Sequence, residues 1–388
     1  MIYLDNAATT YPKPESVYTA VNECQRNFAV NAGRGTYKAA RFASEVIHST
    51  RSALAKLVNM SSESSENNVI LSPSATIAMN IVLNGLEYNA NTMVYITPFE
   101  HNAAARPLKR LADIYGFSIE TIPFDGKTQK LDADAMRNRF IVKHPDIVIV
   151  NHISNVTGNI LPAYEIFNAS KKYGAINILD ASQSLGLVPI DLSSQKTDFL
   201  IFAGHKNLYG SFGTGGFCYN SSVKLKPFLT GGTGSDSLNL DMPEQRPELY
   251  EPASHDIVAV SALKASLSWL NSTGVKSIYA HKKELTDYAV QQLSELSSVT
   301  MYLPENRDDH IAIISITHSD YRPEELADIL DNDFDIAVRS GYHCAPYAHK
   351  LIGTEDKGGT VRISIGYFNT KDDIDALISA LRELDQEG

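Results

Sequence analysis

The sequence predicts an α/β fold, with a mostly parallel β-sheet in a large domain and a smaller α+β domain at the C-terminal end. Two observations support this prediction. From about residue 68 to residue 220, short apolar runs alternate with helical stretches, and after about residue 297 the pattern changes to a mixture of separate strands and helices. Alternation of the first kind requires βαβ crossovers, which place successive strands parallel to one another.

The elements of the large domain follow in chain order. Residues 14–28 form a predicted helix, with Pro14 in its first turn and Val17, Val21 and Cys24 on one apolar stripe. The predicted strands are residues 68–71, 93–97, 147–150, 176–179 and 199–202. Residues 230–251 are rich in Gly, Ser, Pro and acidic side chains and have no clear period, so they are predicted to form a long loop.

Two predicted helices, one over residues 256–270 and the next ending near residue 297, lead into the smaller domain. That domain has predicted strands at residues 311–316 and 361–365, and predicted helices at residues 323–330 and 371–384. We therefore assign residues 1–255 to the N-terminal segment and large domain. Residues 256–388 form the linking helices and the small domain.

Composition excludes several classes of protein. A chain of 388 residues that is 43% hydrophobic is ordinary for a globular enzyme, and a formal charge of −11 argues against nucleic acid or an anionic membrane as the main partner. No apolar run could cross a bilayer and the first residues lack the regions of a signal peptide, so we expect a cytoplasmic protein. Three widely spaced cysteines suggest neither a disulfide framework nor a metal site.

The lysine after the last predicted strand of the large domain is the first candidate for chemistry. Residues 203–206 (Ala-Gly-His-Lys) follow the apolar run 199–202, and the end of a parallel strand opens on the crevice where α/β folds bind ligands. Desolvation there disfavours the ammonium form, which would leave Lys206 nucleophilic and able to form a Schiff base. The tetrapeptide is equally compatible with an exposed loop lysine.

Two further segments carry groups that could bind a phosphorylated ring cofactor. Ala75 and Thr76 follow Ser74 at the predicted start of a helix, where free amides suit a phosphate, although a plain Ser N-cap explains the pattern as well. Asp180 ends an apolar run and could pair with a protonated ring nitrogen, and Gln183 could donate to a ring oxygen. A lone Asp at a strand end is also common in turns.

Three other side chains stand out. His101 lies just beyond the run 93–97, where an imidazole could stack on a flat cofactor and transfer protons. Cys344 has His343 and Arg339 close by, an electropositive setting that favours a reactive thiolate. Arg362 interrupts an apolar strand, which marks either an exposed face or a clamp for a substrate carboxylate.

Taken together and in this order, the motifs resemble the class V aminotransferase branch of pyridoxal-phosphate enzymes, specifically the cysteine desulfurase and selenocysteine lyase family. Residues 3–10 (YLDNAATT) are similar to its N-terminal signature, residues 203–206 to its lysine motif, and residues 339–344 (RSGYHC) to the cysteine loop of group II members. The resemblance covers nearly the whole chain. It implies fold type I, with a mostly parallel seven-stranded sheet, pyridoxal 5'-phosphate as cofactor and a homodimer.

The resemblance also implies a role for each candidate residue. Lys206 would form the Schiff base, Asp180 would hold the ring nitrogen protonated, Gln183 would contact the phenolic oxygen and His101 would stack on the ring, while Ala75, Thr76 and His205 would bind the phosphate. On the substrate side, Asn155 would lie near the carboxylate that Arg362 clamps, and Arg339 would support the Cys344 loop. Cys344 would take the substrate's sulfur as a persulfide.

Two positions depart from the family pattern. Ala203 stands where many members have a serine, so one phosphate hydrogen bond should be missing. Ser254 lies in a segment, residues 251–256 (EPASHD), that matches only loosely the family segment whose threonine reaches the partner subunit's phosphate. Ser254 is the cofactor-binding candidate of this segment and could make that contact, although the sequence alone does not decide whether it reaches the partner subunit's phosphate.

The function expected from the resemblance is conversion of L-cysteine to L-alanine, with transfer of the sulfur to an acceptor protein. One alternative keeps the cofactor but changes the substrate or reaction: a selenocysteine lyase, another C–S lyase or an aminotransferase. Cys344 distinguishes the desulfurase from this alternative, because a simple β-eliminating lyase needs no thiol that carries a persulfide. A scaffold without catalysis is a third possibility, against which Lys206, Asp180, Gln183 and His101 argue together.

Overall fold

The computed structural model describes residues 1–33, 35–60, 65–234 and 238–387. Its strands are β1 (Ile2–Tyr3), β2 (Val69–Ser72), β3 (Met93–Ile96), β4 (Ser118–Thr121), β5 (Ile147–Asn151), β6 (Ile176–Asp180), β7 (Phe199–Ala203), β8 (Gly215–Tyr219), β9 (Val299–Tyr302), β10 (Ile313–His318), β11 (Ile336–Ala337), β12 (Arg339–Gly341) and β13 (Thr360–Ser364). The α-helices are α1 (Glu15–Asn27), α2 (Lys38–Leu57), α3 (Ala75–Gly85), α4 (Asn102–Tyr115), α5 (Ala133–Val142), α6 (Ala163–Ser170), α7 (Ile257–Thr273), α8 (Val275–Leu293), α9 (Pro323–Phe334), α10 (Pro346–Ile352) and α11 (Lys371–Glu387).

The large sheet has seven strands in the order β2-β8-β7-β6-β5-β3-β4. The five strands from β7 to β4 are parallel, and β8 runs antiparallel to both of its neighbours. The prediction of an α/β fold with a mostly parallel, seven-stranded sheet is therefore confirmed. All five predicted runs are strands of this sheet, and β5, β7 and β8 are buried along their whole length because helices cover both faces.

The smaller sheet is antiparallel, with the order β12-β13-β10-β9, and it packs with α8, α9 and α11 around its own apolar core. The chain's first strand, β1, pairs in parallel with β11, so the N-terminal segment is attached to this part of the molecule. The boundary at residues 255 and 256 stays a prediction.

The predicted loop 230–251 has a single short turn of 3-10 helix, Glu248–Tyr250, among its described residues, and residues 235–237 lie outside the description. Among the helices that the structure describes, none has both the length and the apolar character that crossing a bilayer requires.

Candidate active site

A cavity of about 210 Å³ opens where the parallel strands of the large sheet end and the N-terminal segment and the small sheet meet them. It is the crevice at the carboxyl ends of the strands in which open α/β sheets bind ligands. Ten of the predicted site residues line it: Ala75, Thr76, His101, Asn155, Asp180, Gln183, His205, Lys206, Arg339 and Arg362. The cavity therefore brings together side chains that are up to 287 positions apart in the sequence (362 − 75).

The first turn of α3 forms one wall of the cavity. Ser74 is its N-cap, and its hydroxyl accepts a hydrogen bond of 3.3 Å from the amide of Ile77. The first amides of a helix have no partner within the helix, so those of Ala75 and Thr76 are suited to an anion. Gly215 allows β8 to approach this turn, because a Cβ there would lie 2.5 Å from the Ala75 nitrogen.

Lys206 lies three residues beyond the end of β7. Burial lowers the pKa of its amino group to about 8; Asp180 opposes that shift, and the charges of Arg362 and Arg339 reinforce it. The N-terminal segment holds the lysine's backbone, since the Thr10 hydroxyl donates to the Lys206 carbonyl at 3.1 Å. A substantial fraction of this amine is therefore neutral near physiological pH, as a nucleophile requires.

Asp180 and Gln183 are both held by backbone groups. Asp180 ends β6 and is 4% exposed, and its Oδ1 accepts a hydrogen bond of 2.9 Å from the amide of Ser182. Gln183 donates through Nε2 to the carbonyl of Ala7 at 2.8 Å, which fixes the plane of its amide and leaves the second N–H of the same nitrogen. Both polar groups are therefore oriented before any ligand binds.

His101 is the N-cap of α4. Its Nδ1 accepts a hydrogen bond of 3.0 Å from the amide of Ala103. Burial lowers the pKa of the imidazole to about 4, and the charge of Lys206 adds to that effect. His101 is consequently neutral at physiological pH, with its proton on Nε2.

Cys344 lies in an ordered turn between β12 and α10. His343 and Cys344 both have left-handed backbone conformations, with φ of 47° and 57°. Non-glycine residues adopt this region at a cost of about 1–2 kcal/mol each, so the turn needs support from its surroundings. The thiol is partly exposed, and its Sγ lies 3.8 Å from Nη2 of Arg339.

Three successive carbonyls of this turn accept hydrogen bonds. Ala345 donates to the Tyr342 carbonyl at 2.9 Å, Nδ2 of Asn155 donates to the His343 carbonyl at 2.7 Å, and the amide of Asn102 donates to the Cys344 carbonyl at 2.7 Å. The His343 ring also lies 3.0 Å from the Thr360 hydroxyl. These contacts supply the support that the backbone conformation requires.

Arg362 lies on β13 and is almost completely buried, with 1% of its surface exposed. Its Nη2 donates to Oδ1 of Asp5 at 2.6 Å, and its Nη1 donates to the Asn155 carbonyl at 3.1 Å. The Nε of Arg362 and the Oδ1 of Asn155 are buried without a hydrogen-bond partner. Unpaired polar atoms of this kind are costly, and a ligand's carboxylate could satisfy the guanidinium.

Cys344 and Ser254 are the two predicted site residues that do not line this cavity. Cys344 directly follows His343, which does line it, whereas Ser254 lies apart from it. Ser254 lines two neighbouring cavities, and its hydroxyl accepts a hydrogen bond of 3.0 Å from Nδ2 of Asn31. Glu251, at the start of the same segment, forms an ion pair with Arg51 and accepts a hydrogen bond from the amide of Leu71. The segment is thus tied to α2 and β2 of the same chain.

Comparison with known proteins identifies the family to which this architecture belongs. The aminotransferase class-V family profile matches residues 2–377. The chain belongs to the class-V aminotransferase family. Among its relatives, a probable cysteine desulfurase from Methanothermobacter thermautotrophicus is 30% identical over 99% of this chain and 94% of its own length. A probable cysteine desulfurase from Halalkalibacterium halodurans is 31% identical, with coverage of 99% and 93%.

Solved structures agree with the family assignment. The apo structure of a cysteine desulfurase from Thermococcus onnurineus superposes with a TM-score of 0.92 at 28% identity and covers 100% of this chain and 95% of its own. An S-sulfonic acid form of the cysteine desulfurase CsdA from Escherichia coli has a TM-score of 0.85 at 22% identity, with coverage of 99% and 94%, and shows the same fold. The predicted resemblance to class-V aminotransferases is confirmed.

Class-V aminotransferases use pyridoxal phosphate, and the cavity fits that cofactor. Nδ1 of His205 is buried without a hydrogen-bond partner, on the residue before Lys206. The amides at the start of α3 lie on the same cavity, and Asp180 supplies an acidic group to its lining. An anion, an aldehyde-bearing ring and a basic ring nitrogen would each meet a suitable group.

Sequence reasoning missed three residues of the site. Asp5 pairs with Arg362, Asn102 donates to Cys344, and Glu100 is fully buried beside the cavity. Oε1 of Glu100 accepts hydrogen bonds from the Thr97 hydroxyl at 2.7 Å and the Asn151 amide at 2.8 Å, while burial raises the pKa of Glu100 to about 7. An acid directly before His101 was the available signal for Glu100; the other two contacts join distant segments.

Proposed function

We propose that this protein is a pyridoxal-phosphate-dependent cysteine desulfurase, which converts L-cysteine to L-alanine and takes the sulfur as a persulfide on Cys344. The observation that carries the proposal is the position of the Cys344 thiol, 3.8 Å from the guanidinium of Arg339 and beside a cavity that contains a buried lysine. A thiol next to a cation has the setting of a nucleophilic cysteine. The names of the relatives support the same reaction.

The cofactor would be held from three sides. Ala75, Thr76 and His205 would bind its phosphate, and His101 would stack on its ring. Asp180 would keep the ring nitrogen protonated, and Gln183 would donate its free N–H to the phenolic oxygen. When bound through Lys206, the cofactor supplies an electron sink for the substrate's Cα and Cβ.

The residues of the small sheet would orient the amino acid. Arg362, with its buried unpaired Nε, would bind the carboxylate, and Asn155 would contact it from the large domain. The neutral amine of Lys206 can accept the proton of the substrate's Cα. His101 carries its proton on Nε2 and can donate it to the carbon skeleton.

The sulfur step belongs to Cys344. Its thiolate sulfur forms an S–S bond with the substrate's sulfur while the Cβ–S bond breaks. The electron pair of the broken bond goes to the carbon skeleton, which takes up a proton and leaves as alanine. Cys344 retains the sulfur as a persulfide, and an acceptor protein or a reductant then removes it. Arg339 would stabilise the thiolate and the persulfide anion.

We infer a homodimer in which Ser254 contacts the partner's cofactor phosphate. In support, Ser254 lies outside its own subunit's cavity, on a segment fixed by Glu251. Phe212 is 66% exposed although it stacks on His205 at 4.7 Å between ring centroids, and Phe228 and Leu229 are each 41% exposed. An exposed apolar group of this kind suits burial against a second subunit.

The product balance from L-cysteine tests the function. With a reductant present, we expect alanine and sulfide in equal amounts, and loss of both with Cys344→Ala. Cys24→Ala is the matched control because that thiol is buried in the core. Pyruvate in place of alanine, unaffected by Cys344→Ala, would show a β-eliminating lyase.

Measurement with L-selenocysteine tests the selenocysteine lyase alternative: selenide release that survives Cys344→Ala would favour it.

A further inference from the structure

Two successive peptide amides at the start of α4 donate to two different functional residues. The amide of Asn102 donates to the Cys344 carbonyl at 2.7 Å, and the amide of Ala103 donates to Nδ1 of His101 at 3.0 Å. Both amides lie in the first turn of the helix, where a backbone N–H has no partner within the helix. The helix thus uses two of its free donors on the imidazole and on the cysteine turn.

The hydrogen bond from the Asn102 amide stabilises a backbone conformation that Cys344 would not adopt by itself. Cys344 has φ of 57° and His343 has φ of 47°, so the turn does not hold this conformation by local preference. Asn155 holds the His343 carbonyl from the large domain through a side chain, whereas Asn102 holds the Cys344 carbonyl through its backbone. The Asn102 contact acts on the residue that carries the thiol.

The two hydrogen bonds come from neighbouring residues, Asn102 and Ala103, in the first turn of α4. The N-terminal end of α4 therefore holds both the imidazole of His101 and the backbone of Cys344, although the two residues are 243 positions apart in the sequence (344 − 101). A group that transfers a proton and a group that attacks a sulfur atom on the same substrate need a fixed separation.

We propose that the peptide N–H of Asn102 is the positioning group that fixes Cys344 relative to His101 and the cavity. This inference rests on the proposed function for its catalytic readout, and on geometry alone for the placement of the thiol. The relevant chemistry of Asn102 is in its backbone, so replacement of its side chain should have little effect.

Proline at position 102 tests the proposal. Asn102 is the first residue of α4, where proline is favoured, and His101 has φ of −74° and ψ of 154°, a conformation compatible with a following proline. Asn102→Pro therefore removes the donor and puts a ring carbon in its place, with the helix preserved. Asn102→Ala is the matched control, because it changes the side chain and retains the N–H.

In the holoenzyme we expect Asn102→Pro to lower kcat for L-cysteine by about tenfold to a hundredfold, because a displaced nucleophile loses its orientation. KM and the cofactor's absorption spectrum should stay unchanged, and Asn102→Ala should match the wild type in all three. Alkylation of Cys344 by iodoacetamide should become faster in Asn102→Pro, since the half-buried thiol moves away from the cavity. The same kcat and alkylation rate in both variants would overturn the proposal.

The alkylation readout separates this proposal from the proposed function. If the wild type releases no alanine from L-cysteine, the function fails, while faster alkylation of Cys344 in Asn102→Pro alone would still support the positioning role. If Asn102→Pro does not fold, hydrogen exchange at the Asn102 amide of the wild type decides. Protection at this first helical amide is expected from its bond to Cys344, and fast exchange would overturn the proposal.

Discussion

Arg339 and Arg362 are directly opposite each other in the antiparallel pair of strands β12 and β13. Residues in this relation lie on the same face of a sheet, and two like charges there repel each other. Asp5 pairs with Arg362 from the N-terminal segment, at 2.6 Å, and so balances one of the two charges. Asp5 and the two arginines together keep one net positive charge beside the cavity, which favours an anionic group such as the carboxylate proposed to bind Arg362.

Replacing Arg362 with lysine tests this recognition. An ammonium cannot make the two parallel hydrogen bonds of a guanidinium to a carboxylate, so we expect Arg362→Lys to raise KM for L-cysteine by about tenfold or more. Steady-state kinetics measure the change. Arg382→Lys is the matched control, because Arg382 is half exposed and pairs with Glu295 on the surface. An unchanged KM in Arg362→Lys would show that Arg362 does not bind the substrate's carboxylate.

Asp5 should matter for stability as well as for orientation. Asp5→Ala leaves the buried guanidinium of Arg362 without its counter-ion, and breaking a buried pair in this way costs about 3–5 kcal/mol. Asp5→Asn should cost less, because the amide oxygen can still accept the hydrogen bond. Urea unfolding of the two variants measures the free energies, and equal stability of Asp5→Ala and the wild type would contradict the prediction.

The lowered pKa of Lys206, about 8, predicts how the cofactor attaches. Only the neutral amine reacts, so the rate of covalent attachment of pyridoxal phosphate to cofactor-free protein should rise about tenfold per pH unit below this pKa and level off above it. Rapid-mixing absorbance measures the rate. Arg339→Gln should move the midpoint upward, because the charge of Arg339 lowers this pKa. A midpoint near 10.5, the ordinary pKa of a lysine, would refute the prediction.

Buried histidines predict sensitivity to acid. Burial lowers the pKa of six imidazoles from 6.5 to between about 2 and about 4: His101, His152, His205, His310, His343 and His349. Between about pH 4 and 6.5 the unfolded chain binds protons that the folded chain does not, so stability falls as the pH falls through this window. Glu100 offsets part of the effect, because its raised pKa makes unfolding release a proton.

Calorimetry measures this linkage. Thermal unfolding at about pH 5.5, in two buffers of different ionisation enthalpy, should show a net uptake of several protons. At about pH 8 the histidines are neutral in both states, so their contribution should disappear. The uptake that remains should come from Lys13, Lys206 and Lys282, whose pKa values burial lowers to about 7, 8 and 7. Proton release at the lower pH would show that these imidazoles are charged in the folded protein.

The sequence predicted the centre of the large sheet because its strands are long apolar runs, buried on both faces. It did not predict β4 (Ser118–Thr121), an edge strand whose residues are half-buried or exposed, so that its pattern resembles a loop. β12 was missed for a related reason: its three residues, Arg339–Gly341, have no apolar character. Short strands of this type are defined by their partners in the sheet.

The candidate site divides in the same way. Asp180 ends a strand of the large sheet, and Lys206 and His101 follow two others within a few residues, so a local pattern locates all three. The pair of Asp5 and Arg362 joins residues 357 positions apart (362 − 5), and its two members have no common local pattern. The bond from Asn102 to Cys344 uses a backbone N–H, which every residue except proline possesses. Contacts of these two kinds become visible only in three dimensions.

Acceptance of the substrate's sulfur by Cys344 is the step that defines the proposed reaction. The most direct measurement is mass spectrometry of the Cys344 peptide after the holoenzyme reacts with L-cysteine without a reductant. We expect a mass increase of one sulfur atom on that peptide in the wild type and none in Lys206→Ala, with the peptides of Cys24 and Cys218 unmodified. An unmodified Cys344 in an enzyme that still releases alanine would contradict the account.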